Sequence, residues 1–400
     1  MIIINKYKFL IVLLSFSINI GAQKNTYLTG KINFDKGLYE IAISDLNKYI
    51  SAEQNNADAY LIRGKAKLNL QKYSDAIKDF TKINHKQFPE VNLYLARAYA
   101  TLNNEAEAIF YLKTYLKLKN KLAEEKVIAY PEFGYIADSP AWEELWTVKW
   151  YSKKEKILQS AEENIDLKDF QSAESFLNEY IITYKGNSHA FYLKAQLSIL
   201  RDNDREAIAY LDKAIELKND VKYIINKAQA EYRLKKYKKS LKTFNNAYEI
   251  DSLNLEIVYG RSAVYSALKE HEMALADINK YLYYYPDDAN GLEQYAKINL
   301  ASGDFLSAIH TYGKLIEKYP AESKYFKERA NAYMITHTYS FAIKDYSMAL
   351  DLYPRDAEIY FQKGNAHFKL REVQKACYDW KKALKYGSLE SEKLIYKYCR

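Results

Sequence analysis

Glycine and proline are scarce in this chain of 400 residues, at 12 and 6. So few turn formers argue against a fold of many short strands and for a nearly all-helical chain with short connections. Cysteine is limited to Cys377 and Cys399, and neither has a metal-type partner spacing. The six histidines, His85, His189, His271, His310, His337 and His367, are scattered without a ligand pattern. No His-Glu-x-x-His, no Gly-x-Ser-x-Gly and no glycine-rich phosphate loop occurs. The chain is therefore expected to be non-enzymatic, with no cofactor and no metal. A strong excess of one charge is also lacking: the net charge is +8, and +6 without Lys6 and Lys8. The one dense basic run, Lys235, Lys236, Lys238 and Lys239, reads as a solvated tip, so no nucleic-acid partner is expected.

Long apolar runs are missing too, apart from the start of the chain. Residues 1–22 read as a secretory signal peptide, with Lys6 and Lys8 in the basic region, an apolar stretch over Phe9–Ile20, and Gly21 and Ala22 at the cleavage site. The apolar stretch is short for a membrane span and is interrupted by Ser15, Ser17 and Asn19. No later stretch could cross a bilayer, so the expectation is an exported protein, periplasmic or secreted, without an integral membrane segment. The alternative is an uncleaved N-terminal anchor.

What is present is a period. A small residue recurs at Ala42, Ala76, Ala108, Ala173, Ala207, Ser240, Ala274, Ala308, Ala342 and Ala376. The step is 34 residues, or within two of it, except for one of 65. Twelve residues before each stands another small residue: Gly30, Gly64, Ala96, Ala161, Ala195, Ala228, Ser262, Ala296, Ala330 and Gly364. Such self-similarity marks an array of helical hairpins in place of one globular core. If the recurring residues above are numbered 20 and these are numbered 8, the pair lies on consecutive helices and lets them approach closely. Bulky side chains fill around the contact at position 24, among them Phe80, Phe244, Tyr312, Tyr346 and Trp380. Pro286, Pro320 and Pro354 each follow the second helix and stop it. Tyrosine is abundant, at 40. It suits either an aromatic interaction surface or ordinary repeat positions filled under biased composition.

The period and its residue types, clearest in Tyr360, Gly364, Ala376, Trp380 and Ala383, resemble the tetratricopeptide repeat (TPR) family. The resemblance covers about residues 24–386 apart from one insert. It implies an all-α, right-handed superhelical solenoid of about ten helix-turn-helix hairpins. The organisation expected is 1–22 signal peptide, 23–120 repeats 1–3, 121–153 a Trp-rich insert or degenerate repeat, 154–386 repeats 4–10, and 387–400 a capping helix. In the insert a helix starts after Ser139, with Pro140 at its first position. Trp142, Trp146 and Trp150 then share one face and either pack the insert onto its neighbours or form an exposed patch. The insert is also the natural hinge between the blocks. Gly387 and Ser388 break the chain before a last helix over Leu389–Tyr398, which caps the terminal hydrophobic face. A Cys377–Cys399 disulfide would pin that cap, and the other reading is two unrelated buried thiols. The C-terminal segment also resembles that of exported TPR proteins from Bacteroidota.

In TPR arrays the first helix of each hairpin lines the inner groove, and the resemblance implies that positions 2, 5, 9 and 12 face it. In the first block this gives a basic row, Lys31, Lys65 and Arg97, beside an apolar row, Tyr27, Leu61 and Leu93. The pair suits a segment with an acidic and an apolar face. In the second block the groove residues are Tyr192, Gln196, Gln229, Tyr232, Tyr259, Lys327, Asn331, Phe361 and Asn365. Lys327 and Asn331 look like the opening of a chaperone carboxylate clamp, but the following repeats lack the rest, and the clamp is rejected. Carboxylates are expected on outer helix faces, where they solvate the array. The function expected is a protein–protein interaction scaffold, binding protein segments in its groove within a cell-envelope assembly or secretion complex. The alternatives are a glycan or peptidoglycan binding or processing protein using Tyr192, Tyr259 and Phe361, and a self-associating structural subunit.

Overall fold

The computed structural model describes residues 25–399, so the leader read at 1–22 lies outside the described residues. Among the described residues every regular element is a helix. The chain divides into two compact units, one ending at Leu197 and the other beginning at Ser198. That division falls inside the helix Ser188–Leu200, and the insert lies within the first unit.

The first unit pairs a helix over 25–35 with Tyr39–Ala52, Ala57–Asn69 with Tyr73–Phe80, and Val91–Thr101 with Glu105–Leu116. The insert follows as Glu124–Ile128, a 3-10 turn Pro131–Tyr135 and Pro140–Thr147, and then Lys153–Asp166 pairs with Phe170–Tyr184. The second unit opens its pairs with Val221–Arg233 and Tyr237–Ile250. Leu255–Ala267 pairs with His271–Tyr284, Ala289–Ser302 with Phe305–Lys318, Ser323–Ile335 with Tyr339–Leu352, and Ala357–Lys369 with Val373–Lys385. Glu390–Tyr398 closes the chain. Within each unit the two helices of a hairpin pack on each other, and first helices of neighbouring hairpins also touch. Asn56, Asn104, Asp169, Asn203, Asp288, Asp304 and Asp356 cap helix starts by accepting a backbone N–H.

The scarcity of glycine has a structural counterpart in the turns. Each hairpin bends through one left-handed residue at position 15, and most of these are not glycine: Gln71, Asn103, Lys168, Asp202, Lys235, Lys269, His337 and Arg371. Only Gly37 and Gly303 fill this place with glycine. The next N–H reaches back to a helix carbonyl, as in Lys72 N to Lys67 O at 2.8 Å and Glu270 N to Tyr265 O at 2.9 Å. The recovered hydrogen bonds offset the left-handed cost of about 1–2 kcal/mol. Glycine is needed instead at particular position 8 contacts: a Cβ on Gly64 would sit 2.5 Å from the Phe80 ring and one on Gly364 2.6 Å from Trp380.

Not all carboxylates lie on outer faces, which corrects the expectation above. Asp79, Asp277, Asp345 and Asp379 are buried, all at position 23. Arg63 forks onto Asp79, with Nε–Oδ2 2.9 Å and Nη2–Oδ1 2.5 Å, and its Nη1 donates to Asn47 of the preceding hairpin. Arg261 repeats this on Asp277 and Asn245, and Arg329 forks onto Asp345. A buried carboxylate needs such a partner.

The last hairpin departs from the pattern. Lys363 replaces arginine and its Nζ stays 3.6 Å from Asp379, whose other oxygen is 3.6 Å from His367 Nε2. Burial pushes the Asp379 carboxyl above the ordinary carboxylate range, only partly countered by Lys363 and His367. A carboxyl raised on folding supports the fold below its unfolded pKa, and that support is lost as pH rises through the folded value. Lys363→Arg should restore the fork and stabilise the hairpin by about 1 kcal/mol at pH 7, and by less at pH 3 where Asp379 is protonated. Thermal melts at the two pH values check this, and an equal shift at both would refute the role given to Asp379.

The cap forms as Glu390–Tyr398, one residue later than read from sequence, and Cys377 and Cys399 are joined. Tyr398 lies on Phe368 with ring centres 4.6 Å apart, covering the end of the core beside the fully buried Trp380.

Candidate binding faces

In the first unit the chain itself covers part of the expected stripe. Arg97 Nη2 donates to Glu132 Oε1 at 2.6 Å, and its guanidinium lies 4.0 Å from the Tyr130 ring centre. Glu132 and Tyr130 belong to the insert, whose 3-10 turn packs on Val91–Thr101. Leu93 is 4% exposed and shares a core with Phe133 and Trp142, so the apolar row is not an open surface there. The physical reason is Phe133, which buries its ring in that core and seals it. Leu61 is half-buried, and Tyr27 packs on Tyr49. Lys65 Nζ lies 5.3 Å from the Phe34 and Tyr94 ring centres, and Lys31 is exposed.

The insert packs inward through its tryptophans. Ser139 caps the helix Pro140–Thr147, accepting from Trp142 N, and Trp142 and Trp146 meet edge to face at 5.6 Å. Trp150 lies beyond that helix, which corrects the expectation of three rings on one helix face. Val148 is extended, and Trp150 Nε1 donates back to Leu145 O at 2.8 Å. Arg97→Glu would set two carboxylates against each other and should loosen the insert by about 1–2 kcal/mol. Faster amide exchange over 124–147 checks it, while unchanged exchange would mean that the apolar core holds the insert alone.

Tyr192 is 3% exposed, also in the first unit, so it offers no platform and no groove surface. Its ring stands beside His189, and Gln196 is half-buried. In the second unit two expected groove residues are structural. Asn331 accepts from the Tyr346 hydroxyl at 2.6 Å, and Asn365 from Trp380 Nε1 at 3.1 Å. Both answer a polar group on a fully buried ring at position 24. Lys327 is held by Glu358 and Asp356, and Phe361 is half-buried.

Gln229, Tyr232 and Tyr259 come together in a concave pocket of about 620 Å³ within the second unit. Sequence reasoning missed its other polar residues, Arg233, Ser266, Asn290, Glu293, Gln294, Lys297 and Lys324. The signal existed: Asn290 and Lys324 are at position 2, Glu293 at 5 and Lys297 at 9 of their repeats. Gln229 donates to Glu256 at 3.0 Å, and Gln294 to Tyr259 O at 2.8 Å. Glu293 accepts from Lys297 at 2.6 Å and from Lys324 at 2.8 Å. Burial pushes the Glu293 carboxyl up, and the two lysine hydrogen bonds outweigh it and hold the group below its ordinary value. Burial raises Tyr232 and Tyr259, so both keep their phenol protons at neutral pH and can donate. The pocket thus offers amide and phenol groups for a polar backbone, rings for apolar contact and two ammonium groups at one side. Among the described residues no three His, Cys, Asp or Glu side chains group as metal donors, and no helix is long and apolar enough to cross a membrane.

The tetratricopeptide repeat family model matches residues 90–122 and 188–221. A TPR repeat-containing protein of Methanocaldococcus jannaschii is 23% identical over 284 residues, covering 69% of this chain and 46% of that protein. The chain thus spans under half the length of that relative. The crystal structure of a tetratricopeptide repeat protein from Parabacteroides merdae is 19% identical. It covers 62% of this chain and 99% of that one at a TM-score of 0.51, a likeness of fold alone. The matched segments, the recurring small residues and the stacked helix pairs agree: this chain carries tetratricopeptide repeats.

Proposed function

We propose that the chain is an exported, non-enzymatic scaffold that holds a protein segment in the concave pocket of its second unit, within a cell-envelope assembly or secretion complex. The observation that carries this reading is the pocket itself. It is lined by positions 2, 5, 9 and 12 of successive repeats, Asn290, Tyr259, Gln229 and Tyr232 among them. Repeat arrays use such inner faces for extended partners. The leader pattern of residues 1–22 and the Cys377–Cys399 disulfide support export.

A photo-crosslinking side chain at Asn290, on the pocket rim, tests it in native envelope extract. The expected result is one or a few discrete protein adducts. The same probe at Lys238, on the exposed basic tip, should give none of them. Equal labelling from both sites, or no protein adduct from Asn290, would sink the reading.

A further inference from the structure

The first unit displays a ligand-like contact made by the chain's own insert. Along Tyr130-Pro131-Glu132-Phe133 a ring lies under the Arg97 guanidinium, the next carboxylate pairs with it, and Phe133 enters the core. Arg97 stands at position 9 of its repeat, and the same position lines the second unit's pocket as Gln229, Ala263 and Lys297, of which Lys297 is the basic one.

Lys297 breaks a local rule. In the next two repeats position 9 is Asn331 or Asn365, and each satisfies the buried ring at position 24. With lysine there, the fully buried Tyr312 hydroxyl has no hydrogen-bond partner among the described residues. An unmet buried hydroxyl costs about 1–3 kcal/mol, so lysine at this place works against stability. The Lys297 ammonium turns to Glu293, which Lys324 also holds. The side chains of Lys297 and Lys324 are 57% and 50% exposed and that of Glu293 is 17%, so the charge the cluster shows to solvent is positive. Tyr232 and Tyr259 supply rings in the same pocket.

We propose that this pocket takes a partner segment in which an aromatic residue closely precedes a carboxylate, with the carboxylate on Lys297 and Lys324 and the ring against Tyr232 and Tyr259. The proposal rests on the scaffold reading above and adds the partner's chemistry. The contact of Tyr130 and Glu132 with Arg97 is the template for it. Rim charges of this kind set specificity and salt dependence.

The probe is a fluorescein-labelled peptide of residues 128–136, Ile-Ala-Tyr-Pro-Glu-Phe-Gly-Tyr-Ile, titrated against the full chain by anisotropy. Binding should weaken about tenfold when the peptide's glutamate becomes glutamine, and by a similar factor in the exposed-site variant Lys297→Glu. Higher salt should weaken the parent peptide more than the glutamine peptide. Circular dichroism confirms that the variant folds. Equal binding of both peptides, abolished by Tyr232→Ala, would overturn the acidic chemistry and leave the groove reading standing. Absence of peptide binding while the Asn290 crosslinker still captures a protein would do the same. Loss of protein capture at Asn290 is the separate result that removes the underlying reading.

Discussion

Arg261→Ala should destabilise the second unit by about 3–5 kcal/mol, the usual cost of leaving a buried charge without its partner. Arg261 Nε and Nη2 meet Asp277 Oδ2 and Oδ1 at 2.7 and 2.9 Å, and Nη1 meets Asn245 Oδ1 at 3.0 Å. The guanidinium also lies 4.3 Å from the Tyr248 ring centre. One side chain therefore ties a hairpin together internally and to the hairpin before it. Truncation leaves Asp277, 7% exposed, without a cation, and removes the Asn245 contact too. Arg261→Lys should recover only part of the loss, because an ammonium cannot fork onto a carboxylate. Since each repeat leans on its neighbours, the loss should be local first. Amide exchange should accelerate over 237–284 before the rest of the second unit. Urea midpoints with exchange across those helices check the prediction. A change below about 1 kcal/mol would mean that desolvation of the pair cancels its attraction.

This ladder marks a limit of reading the sequence through small residues alone. Ala and Gly at positions 8 and 20 show where helices touch because sterics at close contact tolerate little else. They carry no information on what polar groups lie between hairpins. That information was in the chain as arginine and aspartate sixteen residues apart, Arg63 with Asp79, Arg261 with Asp277 and Arg329 with Asp345. A charge on a helix is usually solvated, so the spacing reads as surface until the neighbouring helix is placed over it. The turns are similar. Gln71, Lys168 or His337 in a left-handed conformation has no residue-type signal, because the returning hydrogen bonds select it and not the side chain.

The inner face was legible by position but not by occupancy. Positions 5, 9 and 12 do place Gln229, Tyr232 and Tyr259 in one pocket. The same positions place Leu93 and Tyr192 in cores, Arg97 against Glu132, and Asn331 and Asn365 against buried rings. A repeat position defines a direction from the helix axis. Whether that direction opens to water depends on what the chain folds over it, and here the insert folds over Arg97. The acidic and apolar faces read for a ligand of the Arg97 and Leu93 stripe are met inside the molecule by Glu132 and by Tyr130 and Phe133.

Reduction of the Cys377–Cys399 bond, or Cys399→Ser, should destabilise the last hairpin and its cap by about 3 kcal/mol. That magnitude follows from the 22-residue separation of the two cysteines, since a cross-link of this span removes that much chain entropy from the unfolded ensemble. The cap helix Glu390–Tyr398 is nine residues long, too short to persist by helix propensity. It is held by the disulfide, by Tyr398 on Phe368, and by the fully buried Ser391, whose hydroxyl bonds Ser388 at 3.1 Å. Without the cross-link, fraying of the cap should expose Phe368 and the edge of Trp380, whose ring centre lies 6.3 Å from that of Tyr398. An array that opens at one end loses its neighbour interactions from that end inward, so the lesion should spread to Asp379 and its loose partners before reaching Arg329. Amide exchange with and without a thiol reductant should show protection lost over 373–399 and kept over 323–352. Identical exchange in both conditions would mean that Tyr398 and Ser391 hold the cap unaided. The predicted asymmetry ties the fold to its proposed compartment: a reducing environment would leave the terminal core face to fray, whereas an oxidising one keeps it covered.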